Sequence, residues 1–432
     1  ARSKTLDFDM SLKEIKDKLE NFVTDTALIG LENDADLRNH KMKNMFQAHQ
    51  DLIDKLFCRT WISDTWNNET ADDMTALLLS STVESDDIQL IISAVMLGGI
   101  EFYDYNKFRV LSTVYLKSTD EDIRQRALVG WVLILQRRTY ETQEMHRIIK
   151  GMLDDPRTVN ELMEFQIQIV YCKNAEHDRD MIQHEIMPDL MEGGNINITR
   201  FGISEKEDDV VKNILDPNAD ERLAEKMEKA AERILKMQKD GVDIYFGSLS
   251  RMKYFPFFKT LSNWFCPFSL EHPELSSEME KLEMFEKLNK LMSNSPFCDS
   301  DKYSLCLSVN QMAGSFAPSM KEFLAYAPDD LMASSDFNSF SNTPTYIRRN
   351  YLQCIFRTYK VSPFKNEIHD PFAFPALFED KMFSSLSNKL LIEIAEFMKN
   401  NHYMESAKNI ISIIEPPYDY DYYMAKSEIN PD

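Results

Sequence analysis

Glycine is scarce, at 11 of 432 residues, about 2.5% against a usual ~7%. Phosphate-cradling loops and tight hairpins spend glycine on positive-φ turns. The shortage argues against a Rossmann, P-loop, sandwich or barrel fold and for a helical one. Cysteine is sparse too: Cys58, Cys172, Cys266, Cys298, Cys306 and Cys354 are scattered, with no CxxC pair. That is too few for a disulfide framework and wrongly spaced for a zinc site. They read as reduced, mostly buried thiols of a cytoplasmic protein. No run of 18 apolar residues occurs, so no membrane insertion is expected. Basic residues are outnumbered, Lys+Arg 49 against Asp+Glu 71, for a net charge of −22. Phosphate recognition needs clustered Lys and Arg, so no nucleic acid is expected as a partner. An initiator Met and an apolar signal core are both missing from Ala1-Arg2-Ser3-Lys4-Thr5, which reads as a processed or excised chain. HExxH, GxSxG, Walker and GxGxxG patterns are absent as well, so the reading is of no enzyme, no cofactor and no metal.

What is present is ordinary globular material, 43% hydrophobic and 28% charged, which excludes wholesale disorder. Ser11 and Glu14 form a capping-box pattern opening a helix to about Ile29, and a second long helix is predicted over 35–60. A rhythm of paired helices follows: 71–82 with 86–100, 105–117 with 120–137, and 141–153 with 157–173. Ile88, Ile123 and Val159 sit just inside the second helix of each pair, at spacings of 35 and 36. Each follows an acidic turn, Ser85-Asp86-Asp87, Thr119-Asp120-Glu121-Asp122 or Asp154-Asp155-Pro156, read as a helix cap that also complements the dipole. The stripe Ile88, Ile91, Ile92, Val95, Met96 and its counterpart Ile123, Ala127, Trp131, Ile134 need cover on two sides, as stacked helix pairs provide.

The stretch Ser118 to Ala127, an acidic turn then Ile123, Arg124 and Ala127, resembles the second-helix start of a HEAT repeat. Gln89 and Asn160 stand where Arg124 stands, so the flanking pairs depart from the family's polar ladder. Further on, Ser387 to Ile414 resembles a tetratricopeptide (TPR) unit, with the small residues Ala395 and Ala407 twelve apart and Pro416-Pro417 ending it. As a whole the chain resembles the large uncharacterised helical-repeat proteins of bacteria. The implied fold is all-α: an α-solenoid of HEAT-like pairs, then a less regular helical region ending in a TPR-like pair. The divisions read as 1–66 N-terminal helices, 67–192 HEAT-like repeats, 193–218 a linker or mobile loop, 219–386 an aromatic-rich region, and 387–432 a TPR-like pair cut off inside an array.

Within 193–218 the texture changes to Gly193-Gly194, alternating Asn-Ile pairs and an acidic run, with a short helix at 209–215. Ala219 to Asp240 is a strong helix stopped by Gly241, and Leu223, Met227, Ala230, Ile234 and Met237 repeat as a short coiled-coil seam. Nine aromatics crowd 245–268, and Pro-Phe pairs at 256, 267, 296, 363 and 371 read as pinned corners between helices. Further helices are expected near 277–293, 300–312, 318–327, 344–360, 387–400 and 403–415, with another beginning at 418–423.

Candidate chemistry is thin. His177 and His184 are seven apart beside Glu176, Asp180 and Glu185, a spacing open to metal, yet the segment reads better as a solvated polar helix. Asp86-Asp87 and Asp154-Asp155 read as caps and not as acid–base pairs. The aromatic cluster reads as core, with Tyr245, Tyr254 and Trp264 the members to watch for exposure. The leading expectation is a non-enzymatic scaffold or adaptor whose inner surface, including Gln89, Arg126 and Asn160, binds a protein or peptide, basic or mixed in charge. The alternative is a helical enzyme or small-ligand or carbohydrate binder with a pocket near 245–268. It would show His or carboxylates converging from distant segments, for instance at His272, His369 or His402.

Overall fold

The computed structural model describes residues 9–193, 196–199, 202–205, 219–275, 292, 295–312 and 343–430. The helices expected at 209–215 and 318–327, and nearly all of that at 277–293, lie outside those residues. The described chain is helical apart from one short hairpin. It divides into two compact units, residues 1–167 with 252–432, and residues 168–251.

The first unit begins with α1 (Leu12–Gly30), α2 (Ala35–Trp61), α3 (Asn68–Leu78), α4 (Ser85–Glu101), α5 (Tyr105–Lys117), α6 (Glu121–Gln136) and α7 (Gln143–Leu153), followed by α8 (Pro156–Met181). Ser11 and Glu14 close the expected capping box on α1. Asp120 caps α6 by accepting from Ile123 N–H at 3.1 Å, and Asp155 accepts from Arg157 N–H at 3.1 Å at the start of α8. The turn before α4 is different. Glu84 occupies the cap position without a side-chain bond, so Asp86 and Asp87 do not cap as expected.

Every residue of α4 from Asp87 to Ile100 and of α6 from Ile123 to Leu135 is buried. Such all-round apolar helices need neighbours on every side. α5 packs on α6, α2 on α4, and α4 and α6 on each other, while α13 (Pro344–Val361) covers α6. At Gly98 a Cβ would lie 2.9 Å from the Trp61 carbonyl oxygen, a backbone atom that cannot yield, so α4 passes the end of α2 only with glycine there.

Polar bonds between these helices recur at one chain separation. His49 meets Asp87 at 3.0 Å, Trp66 N–H donates to Asp104 at 2.8 Å and Arg109 meets Asp72 at 3.0 Å. Ser85 donates to Asp120 at 2.8 Å, and Arg124 grips Glu161 at 2.7 and 2.9 Å. These partners are 35–38 residues apart. Burial pushes the Glu161 carboxyl up, but bonds from Arg124, Tyr115 and Gln125 outweigh it and hold the group below its ordinary value.

The rest of this unit is less regular. Around the aromatic stretch, 3₁₀ turns replace helices at Pro256–Lys259 and Ser262–Trp264, and another begins at Pro371. Phe257 and Phe372, each after the proline that opens such a turn, are buried, as expected of pinned corners. α12 (Asp299–Met312), α13, α14 (Asn388–Asn400), α15 (Met404–Ser412) and α16 (Tyr420–Ile429) complete it. Ala395 and Ala407, on α14 and α15, are fully buried.

α13 presents one face at three-residue intervals. Thr345 donates to Glu164 of α8 at 2.7 Å, Arg348 bonds Glu164 and also Gln125 of α6, and Tyr351 donates to Ser93 of α4 at 2.8 Å. Beneath, Asp301 is wholly buried between Arg357, at 2.7 and 2.9 Å, and Lys253, at 2.8 Å. Burial raises the Asp301 carboxyl, and those two cations more than reverse the shift.

In the unit 168–251, α8 passes into a π-helical turn, Ile182–Ile186, and then α9 (Met187–Gly193). Pro188, lacking an N–H, stands just after the wide turn. Strands β1 (Ile196–Thr199) and β2 (Gly202–Glu205) then pair antiparallel, with Ile196 opposite Glu205 and Ile198 opposite Ile203. A linker or loop was the expectation here, and the alternating Asn-Ile pairs carry the two-residue period of a strand instead. On α10 (Ala219–Asp240) the seam residues Leu223, Met227, Ala230, Ile234 and Met237 are covered while most of the others are exposed. The helix packs on α9 and stops at Gly241, whose φ of 103° suits glycine. A one-turn helix, α11 (Phe246–Leu249), follows.

Candidate functional site

The six cysteines are all thiols, and Cys172, Cys298, Cys306 and Cys354 are buried. Burial pushes the Cys306 thiol up to about 12, far from a nucleophile's range. His177 is largely exposed, and His184 bonds the Asp180 carbonyl at 2.8 Å. Among the described residues no cluster of three or more His, Cys, Asp or Glu is placed to hold a metal.

Of the surface positions singled out from sequence, Gln89 and Arg126 are 6% and 3% exposed, which removes them from an accessible surface. The physical reason is the cover that later segments place over α4 and α6. Arg126 donates to the Phe265 carbonyl at 2.6 Å, pairs with Asp299 at 3.1 Å and lies 4.6 Å over the Tyr351 ring. Trp264 is wholly buried, its indole N–H donating to the Phe258 carbonyl at 2.9 Å. Asn160 is exposed, Tyr254 is 64% exposed and stacked on Phe255, and Tyr245 is half-buried in the unit 168–251.

Among the described residues of the first unit, two cavities stand out. The larger, about 700 Å³, lies at the helix turns, where three of its hydroxyls are already engaged: Ser80 and Thr82 donate to Glu20 at 2.6 and 2.8 Å, and Ser85 to Asp120. The smaller, about 200 Å³, is chemically distinct. α1 gives it Phe22, α2 gives Phe46 and His49, the start of α4 gives Glu84, Asp86 and Asp87, the segment 266–273 gives Cys266, Glu271 and His272, and α12 gives Tyr303.

Each group is held in place. The His49 ring stacks on Phe22 with centroids 3.7 Å apart and meets Asp87 Oδ1 through Nε2 at 3.0 Å. That leaves Asp87 Oδ2 buried without a partner among the described residues. Tyr303, wholly buried, donates to the Pro267 carbonyl at 2.9 Å and accepts from Ser269 N–H at 3.0 Å, which fixes the cavity's floor. His272 lies edge-on to Phe257 and Tyr303, and its Nδ1 accepts from Glu274 N–H at 3.3 Å. Burial pushes its pKa down to about 4, so near neutrality the ring is uncharged, with its proton on Nε2. That Nε2 is buried and has no partner among the described residues.

Asp86 sits at the rim, exposed to solvent on one side. The protein crowded on its other side, together with the Asp299 charge, pushes its carboxyl up to about 6. Burial drives the Cys266 thiol up. The cavity thus offers a donor, an acceptor and clustered carboxylates, and its one thiol is poorly placed to ionise. Sequence reasoning named His272 but missed His49 and read Asp87 as a cap. The available signal was Phe22, Phe46 and His49 spaced along two consecutive amphipathic helices. His369 pairs with Glu101 at 2.7 Å and His402 takes φ 70° after α14, and neither lines this cavity. No helix among the described residues is long and apolar enough to cross a membrane. The chain matches no protein-family model, no curated protein and no solved structure.

Proposed function

We propose that the protein is a non-enzymatic binding protein, an adaptor built on stacked HEAT-like helix pairs with a TPR-like pair at 387–432. The observation that carries this reading is the recurrence of inter-helix polar bonds at 35–38 residues, the spacing of a two-helix repeat. Its partner is a protein or peptide, basic or mixed in charge, drawn by the net charge of −22. The accessible positions for contact are Asn160 and Tyr254. Photo-crosslinking groups placed there should capture one recurrent polypeptide, whose association slows as salt rises. Capture of nothing recurrent at either position, or an association indifferent to salt, counts against the reading.

A second reading rests on a separate observation. His49, Asp87 and His272 converge from segments far apart in the chain, beside the aromatic stretch, on one small cavity. This favours a binding site for a small group there. A screen of the intact protein against small polar molecules by ligand-observed NMR tests it. Binding of any of them that is lost on filling the cavity with Leu90→Trp supports it.

A further inference from the structure

Resting on the reading of the smaller cavity as a binding site, we propose that it takes a primary ammonium group bearing a hydrogen-bond acceptor a few bonds away. The first argument is charge. Glu84, Asp86, Asp87 and Glu271 line the space, and among the described residues no Lys or Arg does. Arg126, whose charge is felt at Asp86 and Cys266, is already bonded to Asp299 and the Phe265 carbonyl and lies over the Tyr351 ring. An anion has no counter-charge here, whereas a cation has several.

The second argument rests on buried polar atoms, one of which, on His272, lies outside the acidic cluster. His272 is 5% exposed and Asp87 is 8% exposed, and each holds one unpartnered polar atom at the cavity. Leaving such atoms unmet is costly, and the cost is recovered when a ligand satisfies them. The two atoms differ in kind. Asp87 Oδ2 accepts, which an ammonium N–H satisfies with a charge-assisted bond. His272 Nε2 donates, its tautomer fixed by the bond Nδ1 accepts from Glu274 N–H. A bare alkylammonium would leave that donor unmet, so the ligand also carries a carbonyl or hydroxyl oxygen.

Size and walls narrow the class further. At about 200 Å³ the space is below the ~300 Å³ at which drug-sized pockets begin, so it admits one amino-acid-sized group. Phe22 and Phe46, in edge-to-face contact at 5.5 Å, give an apolar wall for the ligand's carbon chain and faces that attract a cation. Two sources supply this chemistry: a free small amine such as an amino-acid amide, or the amino terminus or a lysine of a polypeptide.

The test titrates the full chain with leucinamide, with Nα-acetyl-lysine N-methylamide, and with a short peptide carrying either a free or an acetylated amino terminus. 4-Methylpentanamide, which lacks the amine, is the uncharged control. Heteronuclear NMR of the histidine rings reads out binding at His49 and His272. The charged probes should shift both rings and the uncharged control should not. Asp87→Asn and His272→Phe should each weaken binding about tenfold or more, the worth of a charge-assisted or buried hydrogen bond. Lys55→Ala, at an exposed position of α2 that does not line the cavity, should leave affinity unchanged and shows that substitution nearby is not itself disruptive. Preference for leucinamide or the free-terminus peptide identifies an α-amine, and preference for the acetylated lysine identifies a side chain. Equal binding of the uncharged control overturns the ammonium assignment while leaving the cavity a binding site. Binding of no probe overturns both.

Discussion

Residues 68–167 and residues 252–361 both bury charged and polar side chains, but they connect them over different lengths of chain. In the first region partners stand about one helix pair apart, as Ser85 does from Asp120 and Arg124 from Glu161. The second has internal pairs too, such as Asp301 with Arg357, but it adds bonds that run back to the first region: Arg126 to Phe265 over 139 residues, Arg348 to Gln125 over 223, and Tyr351 to Ser93 over 258. Short-range pairing lets each helix pair be completed by its neighbour. Long-range pairing means that Arg348 and Tyr351 of the second region lack these partners until the first is in place. Stability in one region is therefore local and in the other shared.

The strongest way to break that contrast is Glu161→Ala. It strands Arg124, which is 9% exposed at its side chain, and should cost about 3–5 kcal/mol in denaturant unfolding. Amide exchange should quicken first in α5, α6 and α8, and uniform quickening through 252–361 would erase the distinction. Arg126→Met is the complementary cut. It leaves the Phe265 carbonyl and Asp299 unmet for about 2–4 kcal/mol, with exchange rising in both regions together.

The acid limb of stability sharpens the contrast at the cavity. His272 has its pKa lowered to about 4, so its contribution is full above the ordinary value of 6.5 and is lost as pH falls from there through 4. His272→Gln should abolish roughly 2–3 kcal/mol of that loss, seen by comparing unfolding at pH 7 and pH 4. The smallest effects separate the two acidic turns. Asp120→Ala removes a cap and should cost about 1 kcal/mol. Asp86→Asn removes none. With its carboxyl raised to about 6, Asp86 favours the fold when protonated, below the ordinary value of 3.8, and that benefit fades as pH rises through 6. Its replacement should therefore be neutral or stabilising by less than ~0.5 kcal/mol at pH 8, because solvent at the rim screens the charge.

Much of the helical layout was legible because it is local. Periodicity and caps placed α1 to α7 and the start of α8 to within about four residues, while α8 runs eight residues past its expected end, and the seam of α10 was written in its 4-3-4-3 spacing. What was not legible depends on residues that share no period. Nothing near Gln89 or Arg126 signals that later segments will cover them, so two residues expected on a surface lie inside. The cavity is hidden for the same reason. His49 and His272 stand 223 positions apart in sequence, and Asp87 sits in a turn where capping explains an acid equally well. The strands at 196–205 failed differently, because a four-residue alternation is too short to outweigh two neighbouring glycines.

One feature of α13 bears on how such a chain can change over evolutionary time. Pairs that bond at a fixed spacing invite growth by duplication, since each copied segment arrives with the partners its neighbour needs. Thr345, Arg348 and Tyr351, however, reach three successive second helices, α8, α6 and α4, from one rigid rod at fixed rises. A duplicated pair inserted between α4 and α8 would carry Ser93 and Glu164 out of reach of those side chains. The helix therefore acts as a gauge of the distance from α4 to α8, and an insertion between them should break at least one of these three bonds.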